Sequence, residues 1–163
     1  MKPATLAQIK KELNMRSSDE LLNLCLRLGR FKKENKELLT YLLFEAEDEE
    51  GYVIHIKEMV DELYDGITNT NMYYLKKSVR KILREVKKCI RYSNSKETEV
   101  RLLLYFCEKL LDFKPSVKRN TTLMNLCERQ LAMAAKQIDK LHEDLQMDYE
   151  EELNELNKEL RKY

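Results

Sequence analysis

Apolar residues recur three and four positions apart along nearly the whole chain, the spacing that gathers side chains on one face of an α-helix. Thr5 with Gln8 and Ser17 with Glu20 both have the capping-box pattern, in which one side chain accepts a free backbone N–H and the other reaches back to the cap. They predict helices over about 5–14, with Leu6, Ile9 and Leu13 on one face, and over about 18–30, burying Leu21, Leu22, Cys25, Leu26 and Leu28 and ending near Gly29. A third helix is expected from about 33 to 46. Its Leu38, Leu39, Tyr41, Leu42, Leu43 and Phe44 form so apolar a stretch that it should lie centrally.

The acids Glu47–Glu50 stand where a helix N-terminus favours negative charge, and Tyr52, Val53, Ile56, Met59, Val60, Leu63 and Tyr64 follow at helical spacing. This predicts a fourth helix over about 48–65, stopped by Gly66 and the polar run 68–71. A fifth, over about 71–92, keeps Leu75, Val79, Ile82, Val86 and Cys89/Ile90 on one seam, and Ser93-Asn94-Ser95 separates it from a sixth over about 96–113. Pro115 forbids continuation. The last helix should start near 117–121 and run to about 160, with Leu153, Leu156 and Leu160 at four-three spacing in an acidic stretch. The expectation is an all-α fold of about seven helices, as an irregular bundle or a short HEAT-like α-solenoid, with a long C-terminal helix. Residues 1–145 would form a single helical domain and 146–163 an acidic extension that projects and self-associates, or folds back along the body.

Composition agrees with this pattern and removes other classes. Three Gly and two Pro in 163 residues leave little punctuation for strands and tight turns, and 43% apolar content is too high for a disordered chain. No run approaches the roughly 20 apolar residues of a membrane helix, and the N-terminus lacks an apolar signal core, so a soluble, cytoplasmic protein is expected, without a membrane partner. Cys25, Cys89, Cys107 and Cys127 lie in apolar helical runs with no C-x-x-C pair, which suits reduced, buried thiols.

Net charge is only +1, but it is segregated. Residues 45–70 hold nine acids and one Lys57, whereas 71–91 hold eight bases and one Glu85. The bases are Lys76, Lys77, Arg80, Lys81, Arg84, Lys87, Lys88 and Arg91. On the fifth helix they are candidate contacts to a phosphate backbone, with Tyr73, Tyr74 or Tyr92 available to stack on a base. The competing reading sets this helix against the acidic fourth, so that the two neutralise each other, or leaves the lysines as a solvated face. An acidic protein partner or a membrane surface is a further alternative for this face.

Catalytic patterns are missing from the sequence. There is no G-x-x-x-x-G-K-[ST], no G-x-G-x-x-G and no G-x-S-x-G. Neither His55 nor His142 follows a Glu at the three-residue spacing of a di-iron bundle, and the single Asp139-x-x-His142 pair is too little for a metal. His55, between Ile54 and Ile56, reads as a satisfied, partly buried histidine. Consecutive acids at 47–50 and 150–152 point to different helix faces and read as solvated. No enzyme activity, cofactor or metal is expected.

One internal echo stands out. Leu-Leu-Asn-Leu-Cys-Leu-Arg at 21–27 returns as Leu-Met-Asn-Leu-Cys-Glu-Arg at 123–129, five identities in seven, with a weaker Val-Lys-Lys-Cys-Ile-Arg at 86–91. Lys33-Glu34 and Lys96-Glu97 follow two of these copies, so helix pairs two–three and five–six look related, as stacked hairpins would. Short Leu-rich amphipathic helices also come to resemble each other by chance. The stretches 24–28 and 31–39, Tyr41-Leu42-Leu43-Phe44-Glu45, Lys81-Ile82-Leu83-Arg84 and Ile90-Arg91-Tyr92 resemble a family of small bacterial all-helical proteins with no assigned activity. That resemblance implies an intracellular helical domain and carries over no functional residue.

The reading that follows is a non-enzymatic helical protein that binds or scaffolds another macromolecule, through a protein partner or by self-association. The alternative is a nucleic-acid-binding accessory protein that uses the basic helix near 71–92. An exposed, unpaired basic helix would favour the alternative, and one covered by the acidic helix would count against it.

Overall fold

The computed structural model describes residues 2–162 and is all-α. Its eight helices are α1 (Leu6–Leu13), α2 (Ser18–Phe31), α3 (Lys33–Thr40), α4 (Glu49–Asp65), α5 (Met72–Ser93), α6 (Lys96–Asp112), α7 (Thr121–Ile138) and α8 (Glu143–Arg161), with one π-helical turn, Tyr41–Glu45, after α3. Both capping boxes form: Thr5 and Ser17 accept from the backbone N–H of Gln8 and Glu20, whose side chains return to the cap nitrogens. Asn71, Ser95 and Asn120 cap α5, α6 and α7 in the same sense.

The expected long last helix is two helices. Asp139 closes α7, and His142, in extended backbone, opens α8 by accepting from the N–H of Asp144. The break has a packing cause. A straight continuation would carry Leu153 and Leu156 into water, whereas the turn at 139–142 lays α8 along α6 and α7 and buries both. The leucine seam of the acidic tail therefore faces the core, and position 145 lies inside α8.

The chain separates into two compact units, one up to Phe44 and one from Glu45 onward. In the larger unit α6 is the centre: it packs against α4, α5, α7 and α8, and Val100, Leu102, Leu103, Leu104, Phe106, Cys107, Leu110 and Leu111 are all buried. Leu75, Val79, Ile82 and Val86 of α5, with Leu123, Cys127, Leu131 and Ala134 of α7, close this core from two sides. Polar groups pin the layers. Tyr52 donates to the Cys89 carbonyl at 3.1 Å, and Arg101 of α6 holds Glu50 of α4 through two contacts of 2.5 and 2.6 Å. Glu49, at the start of α4, accepts from the hydroxyls of Ser93 and Thr98.

The smaller unit is built differently. Gly29 brings α2 close to α3, since a Cβ there would stand 3.1 Å from Leu39 Cδ1, and Asn35 donates to the Leu28 carbonyl at 2.9 Å. Among its described residues only Tyr41 is buried. The expected burial of Leu22, Cys25, Leu26 and Leu28, and the central place expected for the third helix, are corrected by this: those four side chains and Leu38, Leu42, Leu43 and Phe44 are exposed. Three short helices in about 40 residues are too few to enclose a core on their own.

Candidate interaction surfaces

The eight bases singled out from the sequence all lie on α5, opposite its apolar seam. At 100° per residue they fall within an arc of about 140°, and from Lys76 to Arg91 they run roughly 22 Å along the helix. Lys77, Arg80, Lys81, Arg84 and Arg91 are exposed, and Lys76, Lys87 and Lys88 are half-buried. Their pairing is uneven. Lys88 contacts Glu85 at 2.6 Å, and the Lys87 ammonium lies 3.6 Å from Met133 Sδ. Lys76, Lys77, Arg80, Lys81, Arg84 and Arg91 have no carboxylate partner among the described residues.

Two acids of α4 are occupied by α6. Glu50 is engaged with Arg101, whose guanidinium holds its carboxyl below the usual value. Asp61 accepts from Tyr105 at 2.6 Å and from Lys109 at 2.8 Å. Partial burial acts to raise Asp61, but these two donors outweigh it, and its carboxyl too stands below its usual range. In turn, desolvation and the neighbouring carboxylate push the Tyr105 phenol up. The acid-rich helix thus spends these charges on α6 and leaves most of the basic arc of α5 open.

The arc does not end with α5. A groove of about 570 Å³ has Lys87, Arg91, Lys96 and Lys140 around Ile90, Leu103 and Met133, with Glu99 as its one acid. Lys96 starts α6 and Lys140 sits in the turn after α7, so neither was visible as part of the basic surface from linear charge runs. Tyr73 and Tyr74 are exposed near the start of α5, edge to face at 5.2 Å.

A second surface lies wholly within the smaller unit. Leu6, Leu22, Leu24, Leu26, Leu28 and Phe31 are exposed on α1 and α2, and Leu42, Leu43 and Phe44 on the turn after α3. Two grooves run between these helices. The α1–α2 groove, about 580 Å³, has Ile9, Leu13 and Leu24 as apolar lining and a balanced rim of Glu12, Glu20, Arg16 and Arg27. The α2–α3 groove, about 620 Å³, has an apolar lining and only basic charges on its rim.

The remaining candidates for chemistry stay apart. His55, expected to be partly buried, is exposed with Nδ1 3.3 Å from Glu45, and His142 is occupied as the α8 cap. Cys25 is exposed rather than buried; Cys89, Cys107 and Cys127 are buried free thiols, and burial pushes the Cys107 thiol up, away from the reactive thiolate. No group of three or more His, Cys, Asp or Glu able to hold a metal forms among the described residues. Among the described residues, no helix is long and apolar enough to cross a membrane. No family model, no curated protein and no solved structure matches the chain.

Proposed function

We propose that the protein is a cytoplasmic, non-enzymatic binding module whose N-terminal three-helix unit docks a protein partner. The observation that carries this is the imbalance inside that unit. Thirteen large apolar side chains between Leu6 and Phe44 are exposed and one residue, Tyr41, is buried, among the described residues. A folded surface that keeps so much hydrocarbon in water gains free energy, at about 25 cal/mol per Å², by meeting another apolar surface. The test is site-specific photocrosslinking with p-benzoylphenylalanine in place of Leu26 or Leu43, and in place of the exposed Glu128 of α7 as a control. A discrete adduct with one partner at the first two sites and not at the third is expected. Equal labelling at all three sites, or none, overturns the reading.

A second reading rests on a separate observation. The six unpaired bases on α5 support sequence-independent binding to a phosphate backbone, with Tyr73 positioned to stack. Anisotropy of labelled single-stranded RNA and duplex DNA at about 50 and 200 mM salt tests it. Saturable binding that weakens steeply with salt is expected. Absence of binding at the lower salt removes this reading and leaves the basic face as solvated surface.

A further inference from the structure

We infer that the groove between α2 and α3 receives an acidic amphipathic helix from a partner protein. This rests on the docking reading above and assigns the partner's chemistry. The floor is apolar: Leu26 from α2, Leu39 from α3, and Leu43 and Phe44 from the turn that follows. Gly29 makes this floor, because the absent side chain lets α2 and α3 approach until Leu39 closes the bottom. Leu43 and Phe44 are 70% and 77% exposed, so the floor stands open to an incoming side chain.

The rim decides the charge of the occupant. Arg30 and Lys32 stand at the end of α2, and Lys33 and Lys36 at the start of α3, with no carboxylate among the groove residues. Lys33 is engaged by Glu37 at 3.4 Å on its own helix. Arg30, Lys32 and Lys36 have no acidic partner among the described residues. The adjacent α1–α2 groove, of similar volume, shows what a self-balanced rim looks like: Arg16 already holds Glu20 at 3.2 Å. One rim therefore balances its charge with its own acids, and the other has three cations left to be answered from outside.

Shape favours a helix. A trough between two helices fits the stripe that residues at i, i+3, i+4 and i+7 form, with the flanks of that stripe lying against the rim. Glu and Asp on those flanks would meet Arg30, Lys32 and Lys36, raising the association rate and rejecting basic helices. A nucleic acid would use the cations and leave the hydrocarbon floor in water.

The test is selection, against the full-length protein, of a displayed library of 18-residue helices with a fixed leucine stripe and flanks drawn at random from Glu, Gln and Lys. Enrichment of acid-flanked helices is expected. Binding should be lost with Leu43→Asp and weakened by about tenfold to a hundredfold with Arg30→Glu, Lys32→Glu and Lys36→Glu together, the range that three rim ion pairs supply. The triple variant should turn selection towards Lys-flanked helices. All four side chains are exposed, and circular dichroism confirms that the variants stay folded. Enriched helices that need Leu43 but carry neutral or basic flanks overturn the assigned chemistry and leave the docking reading standing. Enrichment of no helix also overturns it, and a photoadduct at position 43 would then show that the docking reading survives alone. Two results replace the occupant and so overturn the proposal. One is a dimer in sedimentation that Leu43→Asp dissolves, which puts a second copy in the groove. The other is Leu43-dependent binding to vesicles of phosphatidylserine and phosphatidylcholine, which puts a lipid surface there.

Discussion

The motif shared by α2 and α7 has opposite fates in the two units. In α7, Leu123, Leu126 and Cys127 are buried, and Asn125, Glu128 and Arg129 face water. In α2 the matching Leu24 and Cys25 are exposed and Leu21 is only half-buried. Both helices open on a side-chain cap and share the apolar spacing, so the difference is one of neighbours: α7 lies between α6 and α8, while α2 within its unit packs on α3. Burial is a property of what surrounds a helix, and five matching residues in seven do not determine it. The mismatches are informative. Where α7 turns Glu128 to water, α2 has Leu26, and Leu22 and Leu28 add apolar groups on further sides. A helix that is apolar around most of its circumference calls for cover on more than one side, and the described residues of this unit leave Leu22, Leu24, Leu26 and Leu28 exposed.

The largest test of this contrast is thiol reactivity. One thiol, Cys25, should react with Ellman's reagent within the mixing time, while Cys89, Cys107 and Cys127 wait for the larger unit to open, slower by roughly a thousandfold or more. Prompt reaction of two or more thiols would break the comparison. Next comes side-chain truncation. Leu123→Ala should cost about 2–5 kcal/mol in chemical denaturation and Leu24→Ala no more than about 0.5 kcal/mol. Equal losses would mean that α2 is as enclosed as α7.

Charge sharpens the comparison on a smaller scale. Lys77→Glu, Lys81→Glu and Arg84→Glu together should lower the salt slope of duplex DNA binding by about three and leave the unfolding midpoint nearly unchanged. The same measurement on the Arg30, Lys32 and Lys36 variant separates the two basic surfaces, since DNA affinity should follow α5 and not the smaller unit. Smallest is the response to acid. Glu50 and Asp61 lie below their ordinary values of 4.5 and 3.8, so their contribution is complete above those values and is lost as pH falls through the lower folded ones. The stability of the larger unit should therefore decline below about pH 4. Asp61→Asn should flatten that decline in an acid titration followed by circular dichroism, and an unchanged slope would show that the Lys109 and Tyr105 contacts contribute nothing measurable.

Helix identity was legible because its signals are local: Thr5, Ser17, Asn71 and Ser95 are caps whose partners lie two or three residues away. The turn at 139–142 escaped because it contains neither Gly nor Pro. Its trace was charge, with Glu143 and Asp144 in the first turn of α8 as they would be at any helix start. The basic residues of α5 were readable as a run, but their freedom was not. Whether the acids at 45–70 faced them or α6 depended on long-range packing, and Arg101 and Lys109 settled it. Lys96, just past the end of the α5 run, and Lys140, remote in sequence, joined the basic surface through the fold. Exposure in the smaller unit is not legible in the sequence, since hydrophobic spacing tells which face seeks cover and not whether the chain supplies it.

Glu49 sets how the larger unit breathes. Its carboxylate, at the first turn of α4, holds hydroxyls at the end of α5 and the start of α6. Three helix termini are thereby fastened at one point, and none can fray without releasing the other two. In native-state hydrogen exchange the amides at the start of α4, the end of α5 and the start of α6 should open as one cooperative block, with a shared dependence on denaturant. With Glu49→Ala, which removes the shared acceptor, they should separate into fraying ends.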